Sequence, residues 1–210
     1  MRMNLKNRSK KFNIRFKFNS KNLFIFLVSF SILSFIIGIL FYFLVSSDDK
    51  SSINSVVINN FKIKSSYNYL LILKNSLLSN TYNIFLIWVL GISVIGIIGV
   101  LFIYFCELFS LGFTTSAMFY TYKGRGILAF LCYIFPSKII YVILLFLITY
   151  FAIKISYKVF RLCFTNDDIN IKLEIKKYFK VLLFVWILVV CVSILSVFVD
   201  PIFIKLFTKL

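Results

Sequence analysis

The 210-residue chain has no histidine, and its seven Asp and Glu residues are outnumbered by 24 Lys and Arg residues. Without histidine, the commonest general base and the commonest metal ligand are both missing. The sequence also shows no nucleophile–base pair, no acid/base pair of carboxylates and no Gly-rich phosphate loop. We therefore expect a protein that is not an enzyme and that needs neither a cofactor nor a metal.

The few cysteines and paired acids point the same way. The cysteines show no C-x-x-C spacing and lie in apolar surroundings, where cysteine usually packs as a small hydrophobic residue. Asp48-Asp49 and Asp167-Asp168 are adjacent acids in polar turns, which is typical of solvated charges. The four cysteines are Cys106, Cys132, Cys163 and Cys191.

Charged residues make up only 15% of the chain, whereas hydrophobic residues make up 61%. A soluble domain typically carries about 25% charged residues. Several apolar runs instead reach the length of about 18 residues that is needed to cross a bilayer. The basic residues flank these runs, which indicates cytoplasmic loops in contact with membrane lipids rather than nucleic-acid binding. The sequence predicts a multi-pass protein of the cell membrane.

The predicted fold is all-α, with about five transmembrane helices, the N-terminus inside and the C-terminus outside. A re-entrant hairpin over residues 108–135 is the alternative, but it would place the basic segment Lys154–Lys180 outside, against the positive-inside rule. The predicted segments are a basic cytoplasmic arm (1–22), a first helix (23–45), an external loop with an amphipathic helix (46–83), a second helix (84–105), a third (108–122), a fourth kinked at Pro136 (126–155), a basic cytoplasmic loop (156–180), a fifth helix (181–199) and a short external tail (200–210).

Small residues recur on the predicted helices at spacings that permit close helix contact. In lipid, helices associate through packing and hydrogen bonds, and small residues let their backbones approach. The spacing of Ser93, Gly96 and Gly99 also allows a second interpretation, a transport path lined by the second helix and the Pro136 kink, with Lys138 at membrane depth. The candidate packing residues are Ser34, Gly38, Gly91, Ser93, Gly96, Gly99, Gly112 and Ser116.

The external loop contains a helical apolar pattern between Tyr67 and Leu78, interrupted by Lys74. Such a helix lies on the membrane surface or the bundle in one interpretation, and contacts a partner protein in the other. The candidate partner contacts are Leu70, Leu71, Leu77 and Leu78.

The order of these segments resembles the stage II sporulation protein M family of endospore-forming bacteria. The resemblance extends from about Leu77 to Phe203, and its most specific part is the stretch Trp88–Gly96. The matching residues are Trp88, Leu90, Gly91, Ile92, Ser93, Ile95 and Gly96, then Gly112, Phe113 and Thr114, then Phe135 and Pro136.

The resemblance implies a noncatalytic membrane scaffold at the sporulation septum. Its implied partners are the stage II sporulation proteins D and P, which are membrane-anchored peptidoglycan hydrolases. The trio thins the cell wall so that the mother-cell membrane can engulf the forespore. A polytopic transporter or permease subunit remains the alternative function.

Overall fold

A computed structural model describes residues 20–65, 69–134, 137–164 and 171–209 of the chain, and all regular structure in these ranges is helical. The predicted all-α, polytopic membrane class is confirmed. A single 3₁₀ turn, Lys123–Arg125, separates two of the helices. The helices are α1 (Ser20–Leu44), α2 (Ser47–Ser65), α3 (Tyr69–Gly91), α4 (Gly96–Tyr122), α5 (Gly126–Ile134), α6 (Ser137–Phe164) and α7 (Ile171–Lys209).

Five long helices alternate in direction through the bundle. Contacts between α1 and α4 progress in the same direction along both helices, because Ser31 contacts Tyr104 and, further along, Tyr42 contacts Tyr120. The two helices are therefore parallel. Contacts between α3 and α7, and between α6 and α7, run in opposite senses, so these pairs are antiparallel. The path is consistent with five passes, while the inside–outside orientation stays a prediction based on charge.

Among the described residues, four helical spans are long and apolar enough to cross a membrane, where about five were expected. The remaining long helix, α3, has 23 residues, which corresponds to about 35 Å at 1.5 Å per residue. Its length suffices for a crossing, but its polar residues lower its average hydrophobicity. The four spans are Ser20–Leu44, Gly96–Cys132, Ser137–Cys163 and Lys172–Lys205.

The predicted second and third helices are divided differently in the structure. The run 84–105 is not one helix, because a turn at residues 92–95 ends α3 and starts α4. The predicted third helix, 108–122, is the second half of α4 rather than a separate segment. Glu107, which falls between the predicted second and third helices, lies inside this continuous helix, where the Asn83 side chain of α3 contacts it.

The external loop 46–83 also needs correction. Its isolated helix is α2, and the segment predicted as an amphipathic surface helix belongs to the start of the long helix α3. Ser46 is the N-cap of α2: its Oγ accepts the Asp49 backbone N–H at 3.2 Å and donates to the Asp49 carboxylate at 2.7 Å. Asp48 and Asp49 in the first turn further favour this helix start.

The α6–α7 hairpin is longer than predicted. The expected cytoplasmic loop 156–180 is mostly helical, since α6 continues to Phe164 and α7 begins at Ile171. The expected tail 200–210 is a continuation of α7 through Pro201 as far as Lys209. The predicted kink at Pro136 lies outside the described residues, as does nearly all of the basic arm 1–22.

The core lies where α3, α4, α6 and α7 meet. The smaller helix α2 covers one end of the bundle, where the Asn54 side-chain oxygen accepts hydrogen bonds from Tyr42 at 3.3 Å and from Thr121 at 2.9 Å. This end has its own small cluster that includes Val57 of α2. Fully buried apolar residues of the main core include Ile84, Ile87, Val100, Leu145, Ile148 and Val185.

Candidate functional site

A close backbone-to-backbone contact joins α1 to α4 through four of the predicted small residues. A Cβ atom on Gly38 would clash with the backbone carbonyl oxygen of Phe109, and a Cβ on Gly112 would clash with that of Phe35. Ser34 is fully buried and donates to a carbonyl of its own helix at 2.7 Å. Ser116 donates across the contact to the Ile39 carbonyl at 3.4 Å.

The two small-residue pairs therefore face one another. Ser34 and Gly38 lie on α1, and Gly112 and Ser116 lie on α4. Backbone meets backbone here, so no side chain can move away to make room for a substitution. Because lipid supplies no hydrophobic force between helices, this close packing is a physical basis for the α1–α4 association.

Gly91 ends α3 where three helices converge. A Cβ at this position would clash with the Tyr178 hydroxyl of α7 and lie 2.9 Å from the Cβ of Ala152 in α6. The Tyr178 hydroxyl donates to the Trp88 carbonyl at 3.3 Å, and its ring stacks on the Trp88 indole with centroids 6.0 Å apart. Gly91 thus allows the end of α3 to fit between α6 and α7.

Ser93, Gly96 and Gly99 serve the turn between α3 and α4, rather than the helix face that their spacing suggested. A Cβ on Gly96 would clash with the Leu90 carbonyl, and the atoms nearest to Gly99 belong to the Leu90 side chain. The Ser93 side chain is exposed, and its carbonyl accepts a 2.5 Å hydrogen bond from Ser156 of α6. The apolar residues around this turn concealed it from the hydrophobicity pattern.

A polar cluster lies within the bundle between α3, α4 and α6. The Asn83 amide donates to the Glu107 carboxylate and lies 3.5 Å from the Tyr141 hydroxyl. The Lys138 ammonium lies 5.3 Å from the centre of the Tyr141 ring. Ionisable residues at membrane depth are costly unless they are paired, and they often mark a functional site. Sequence reasoning noticed Lys138 but missed its neighbours, because Glu107 fell between two predicted helices rather than inside one.

Lys138 also lines an apolar groove on the flank of the bundle. The groove has a volume of about 360 Å³ and lies between α1, α4, α5 and α6. Its walls include Ser31, Phe35 and Phe130, so the lysine provides a charge beside an otherwise apolar surface.

Further buried hydrogen bonds attach α7 to its neighbours. Ser137 at the start of α6 donates to Asp200 at 2.6 Å, and both residues are buried. Ser196 donates to Ser76 of α3 at 3.2 Å, and Asn80 donates to the same hydroxyl at 3.3 Å. These bonds give the polar residues of α3 partners inside the bundle, which explains how a helix of mixed composition can be accommodated.

The four predicted partner leucines lie on the first half of α3. Leu70 is 82% exposed and Leu78 is 61% exposed. Leu71 is 40% exposed, and Leu77 is half-buried. The structure therefore does not gather them into one compact patch, but it leaves three of them accessible to lipid or to another protein.

Within the described ranges, no group of three or more Cys, Asp and Glu side chains is arranged to hold a metal ion. The described cysteines carry free thiols.

Comparison with known proteins gives one assignment. Residues 31–201 match the family model described as "Stage II sporulation protein M", which covers α1 from Ser31 through α7 to Pro201. No curated protein matches the chain, and no solved structure does so.

Proposed function

Because the chain belongs to the stage II sporulation protein M family, whose role is in the membrane during sporulation engulfment, we propose that it is a noncatalytic scaffold for septal peptidoglycan hydrolases. The implied partners are the membrane-anchored stage II sporulation proteins D and P. The scaffold would hold them at the septum while the mother-cell membrane moves around the forespore. The family match over most of the chain is the observation that carries this proposal.

One small-residue helix face is used within the chain and another apolar helix face remains exposed, which supports a scaffold. The close small-residue contact joins α1 to α4 within the chain, so it is not free to bind a partner. An apolar stripe on α3 remains exposed and recurs at helical spacing, so it is accessible to lipid or to the transmembrane anchor of another protein. This stripe consists of Leu71, Leu78, Tyr82, Phe85 and Val89.

The outer end of α3 is our candidate dock for the hydrolases. Changing Leu70 and Leu71 to Ser would remove two apolar side chains, each worth about 1.5–3 kcal/mol if the partner buries it fully. A loss of even one such contribution corresponds to a ten-fold weaker contact or more. We expect the Leu70→Ser/Leu71→Ser variant to recover much less hydrolase in co-purification from sporulating cells.

The chain offers a matched control at the end of α1. Leu40 and Leu44 are 58% and 82% exposed, so the Leu40→Ser/Leu44→Ser variant has the same chemical change on another helix. It should keep normal hydrolase recovery, with membrane levels of both variants measured alongside. Undiminished recovery with the α3 variant would exclude this end of α3 as the dock.

Deletion of the protein tests the scaffold itself. Engulfment should stop and the hydrolases should lose their septal localisation, while the purified hydrolases keep their activity on peptidoglycan. Normal engulfment in the deletion strain would contradict the proposed function.

A transporter or permease subunit is the second candidate, and the cluster around Glu107 favours it. Transporters place ionisable groups with polar partners at membrane depth, and here the Glu107 carboxylate has the Asn83 amide as its partner, which also lies near the Tyr141 hydroxyl. Uptake by vesicles that contain the purified protein would support transport. A scaffold would instead remain functional in engulfment after Glu107→Gln, provided that the variant still inserts and folds.

A further inference from the structure

A cleft separates α6 from α7 at the end of the bundle where the two helices join. Its volume is about 230 Å³. Four charged side chains line it: Lys154, Lys158, Glu174 and Lys177. Apolar side chains form the rest of its wall, chiefly Phe151, Ile155 and Val181.

The charged and apolar residues of the cleft are arranged in layers. Lys154 and Lys158 are four residues apart and share one face of α6, while Glu174, Lys177 and Val181 share one face of α7. The helices are antiparallel, and Lys158 meets Glu174 nearest the helix ends. The charges therefore lie toward the end of the bundle, with Ile155 at their level, and Phe151 and Val181 lie deeper along the two helices.

The cleft carries an excess of positive charge. Glu174 accepts hydrogen bonds from Lys158 at 2.5 Å and from Lys177 at 3.3 Å. Three lysines against one carboxylate leave a net charge of +2. The Lys154 ammonium lies 5.8 Å from the Tyr150 ring centre and pairs with no carboxylate among the described residues.

The basic residues near this end of α6 and α7 suit the membrane–water interface, where Lys and Arg flank membrane spans. Tyr178 also lines the cleft and stacks on Trp88. The positive-inside rule requires basic residues in a cytoplasmic loop, but it does not require these residues to line one cleft. Lys172, Lys176 and Lys180 are exposed along α7 and satisfy that topological rule without lining the cleft.

We propose that this cleft binds the phosphate headgroup of an anionic phospholipid, whose acyl chain lies against the apolar wall. The layering matches a lipid, which carries its charge at the interface and its chains toward the membrane centre. Basic pockets between transmembrane helices bind such headgroups in other membrane proteins. The inference does not depend on the proposed scaffold function.

Fluorescence quenching can test this site because the chain has two tryptophans. Trp88 lies next to the cleft through Tyr178, whereas Trp186 is 44% exposed on α7 and reports surrounding lipid. The full chain is reconstituted into phosphatidylcholine vesicles that contain a minor fraction of phosphatidylglycerol with brominated chains. We expect brominated phosphatidylglycerol to quench Trp88 in a Trp186→Phe protein more than brominated phosphatidylcholine does. Trp186 in a Trp88→Phe protein should show no such preference, and a preference of equal size at both tryptophans would overturn the proposal.

Lysine substitutions then locate the site. We expect each cleft lysine that contacts the headgroup to contribute a factor of about five in affinity, the size of one lysine's attraction to an anionic lipid surface. Lys154→Gln/Lys177→Gln should therefore raise the phosphatidylglycerol fraction needed for half-maximal quenching about thirty-fold, while leaving Lys158 and Glu174 paired. Lys172→Gln/Lys180→Gln, which has the same net charge, should leave that fraction nearly unchanged. Equal losses in both variants would overturn the proposal.

Two further arms keep the test decisive. If the double variant unfolds, Lys154→Gln alone should still raise the half-maximal fraction about five-fold, and an unchanged fraction would contradict the site. Inorganic phosphate should not displace the brominated lipid, because it has no chain to bury against Phe151 and Val181. Displacement by phosphate alone would show that the cleft takes free anions rather than a lipid.

Discussion

At the scale of single residues, Gly112 offers the sharpest stability test. Gly112→Ala adds one methyl group against the backbone of Phe35, which has no rotamer to relieve the clash. We expect a loss of about 1–3 kcal/mol in stability, the usual range for overpacking. The measurement is thermal unfolding of the purified protein in detergent.

Gly124 supplies the matched control for that substitution. Nothing lies within 4 Å of a Cβ at Gly124, in the turn between α4 and α5. Gly124→Ala should therefore change the unfolding temperature little. Equal and small effects of the two substitutions would contradict the close α1–α4 approach.

Residue spacing predicted the small-residue pairs on each helix but not which two helices these pairs would bring into contact. Ser34 and Gly38 are four residues apart, and so are Gly112 and Ser116, so each pair lies on one helix face. The contact between the pairs joins segments more than seventy residues apart, and neither spacing says which helices will be neighbours. Glu107 was missed for a related reason, since its partner Asn83 lies on another helix.

At the scale of helices, the polar side chains of α3 lead to a counter-intuitive prediction. Asn83→Leu makes the helix more apolar, but it leaves the Glu107 carboxylate without its amide donor at membrane depth. Hydrogen bonds between membrane helices are worth about 0.6–1.7 kcal/mol, and an unsatisfied buried group costs about 1–3 kcal/mol. We expect a clear loss of thermal stability in detergent.

Asn75 provides the comparison for Asn83. It lies on the same helix but is exposed, so Asn75→Leu changes the hydrophobicity of α3 equally without removing an internal partner. This variant should be as stable as the wild type or more stable. Greater damage from Asn75→Leu than from Asn83→Leu would show that α3 does not place its polar side inside the bundle.

Helix boundaries were the least predictable feature of the chain. Hydrophobicity is nearly uniform across the turn at residues 92–95, since Ile92, Val94 and Ile95 are as apolar as the helices on either side. In contrast, Ser76, Asn80 and Asn83 lowered the hydrophobicity of α3 enough to suggest a loop. The bonds of Ser76 and Asn83 to other helices, with Asn80 bonded to Ser76 on α3 itself, decide the outcome, and a single-sequence pattern does not contain that information.

At the scale of the whole molecule, the five-pass orientation can be tested by cysteine labelling in intact cells. In a background without native cysteines, cysteines placed at Ser55 and Lys123 should react with a membrane-impermeant reagent. Those at Ser9 and Asn166 should be protected until the membrane is opened. Labelling at position 166 from outside would contradict the proposed path.

The membrane-protein class and the approximate number of passes could be predicted because they depend on properties summed over segments of the sequence. Hydrophobic length and the seven basic residues from Lys154 to Lys180 report on burial and sidedness without any knowledge of neighbours. The position of α2 over one end of the bundle could not be predicted in this way. It depends on hydrogen bonds from Tyr42 and Thr121 to Asn54, which tertiary packing brings together.

The contact between α1 and α4 can form only after a delay during biosynthesis, because α4 is made well after α1. About seventy residues separate Gly38 from Phe109, so at roughly 5–20 residues per second the ribosome needs several seconds to supply the partner of α1. During this interval α1 is already made, while its narrow face of Ser34 and Gly38 has no native neighbour. The newly made chain is then open to association with other membrane helices, and the emergence of α4 ends that period.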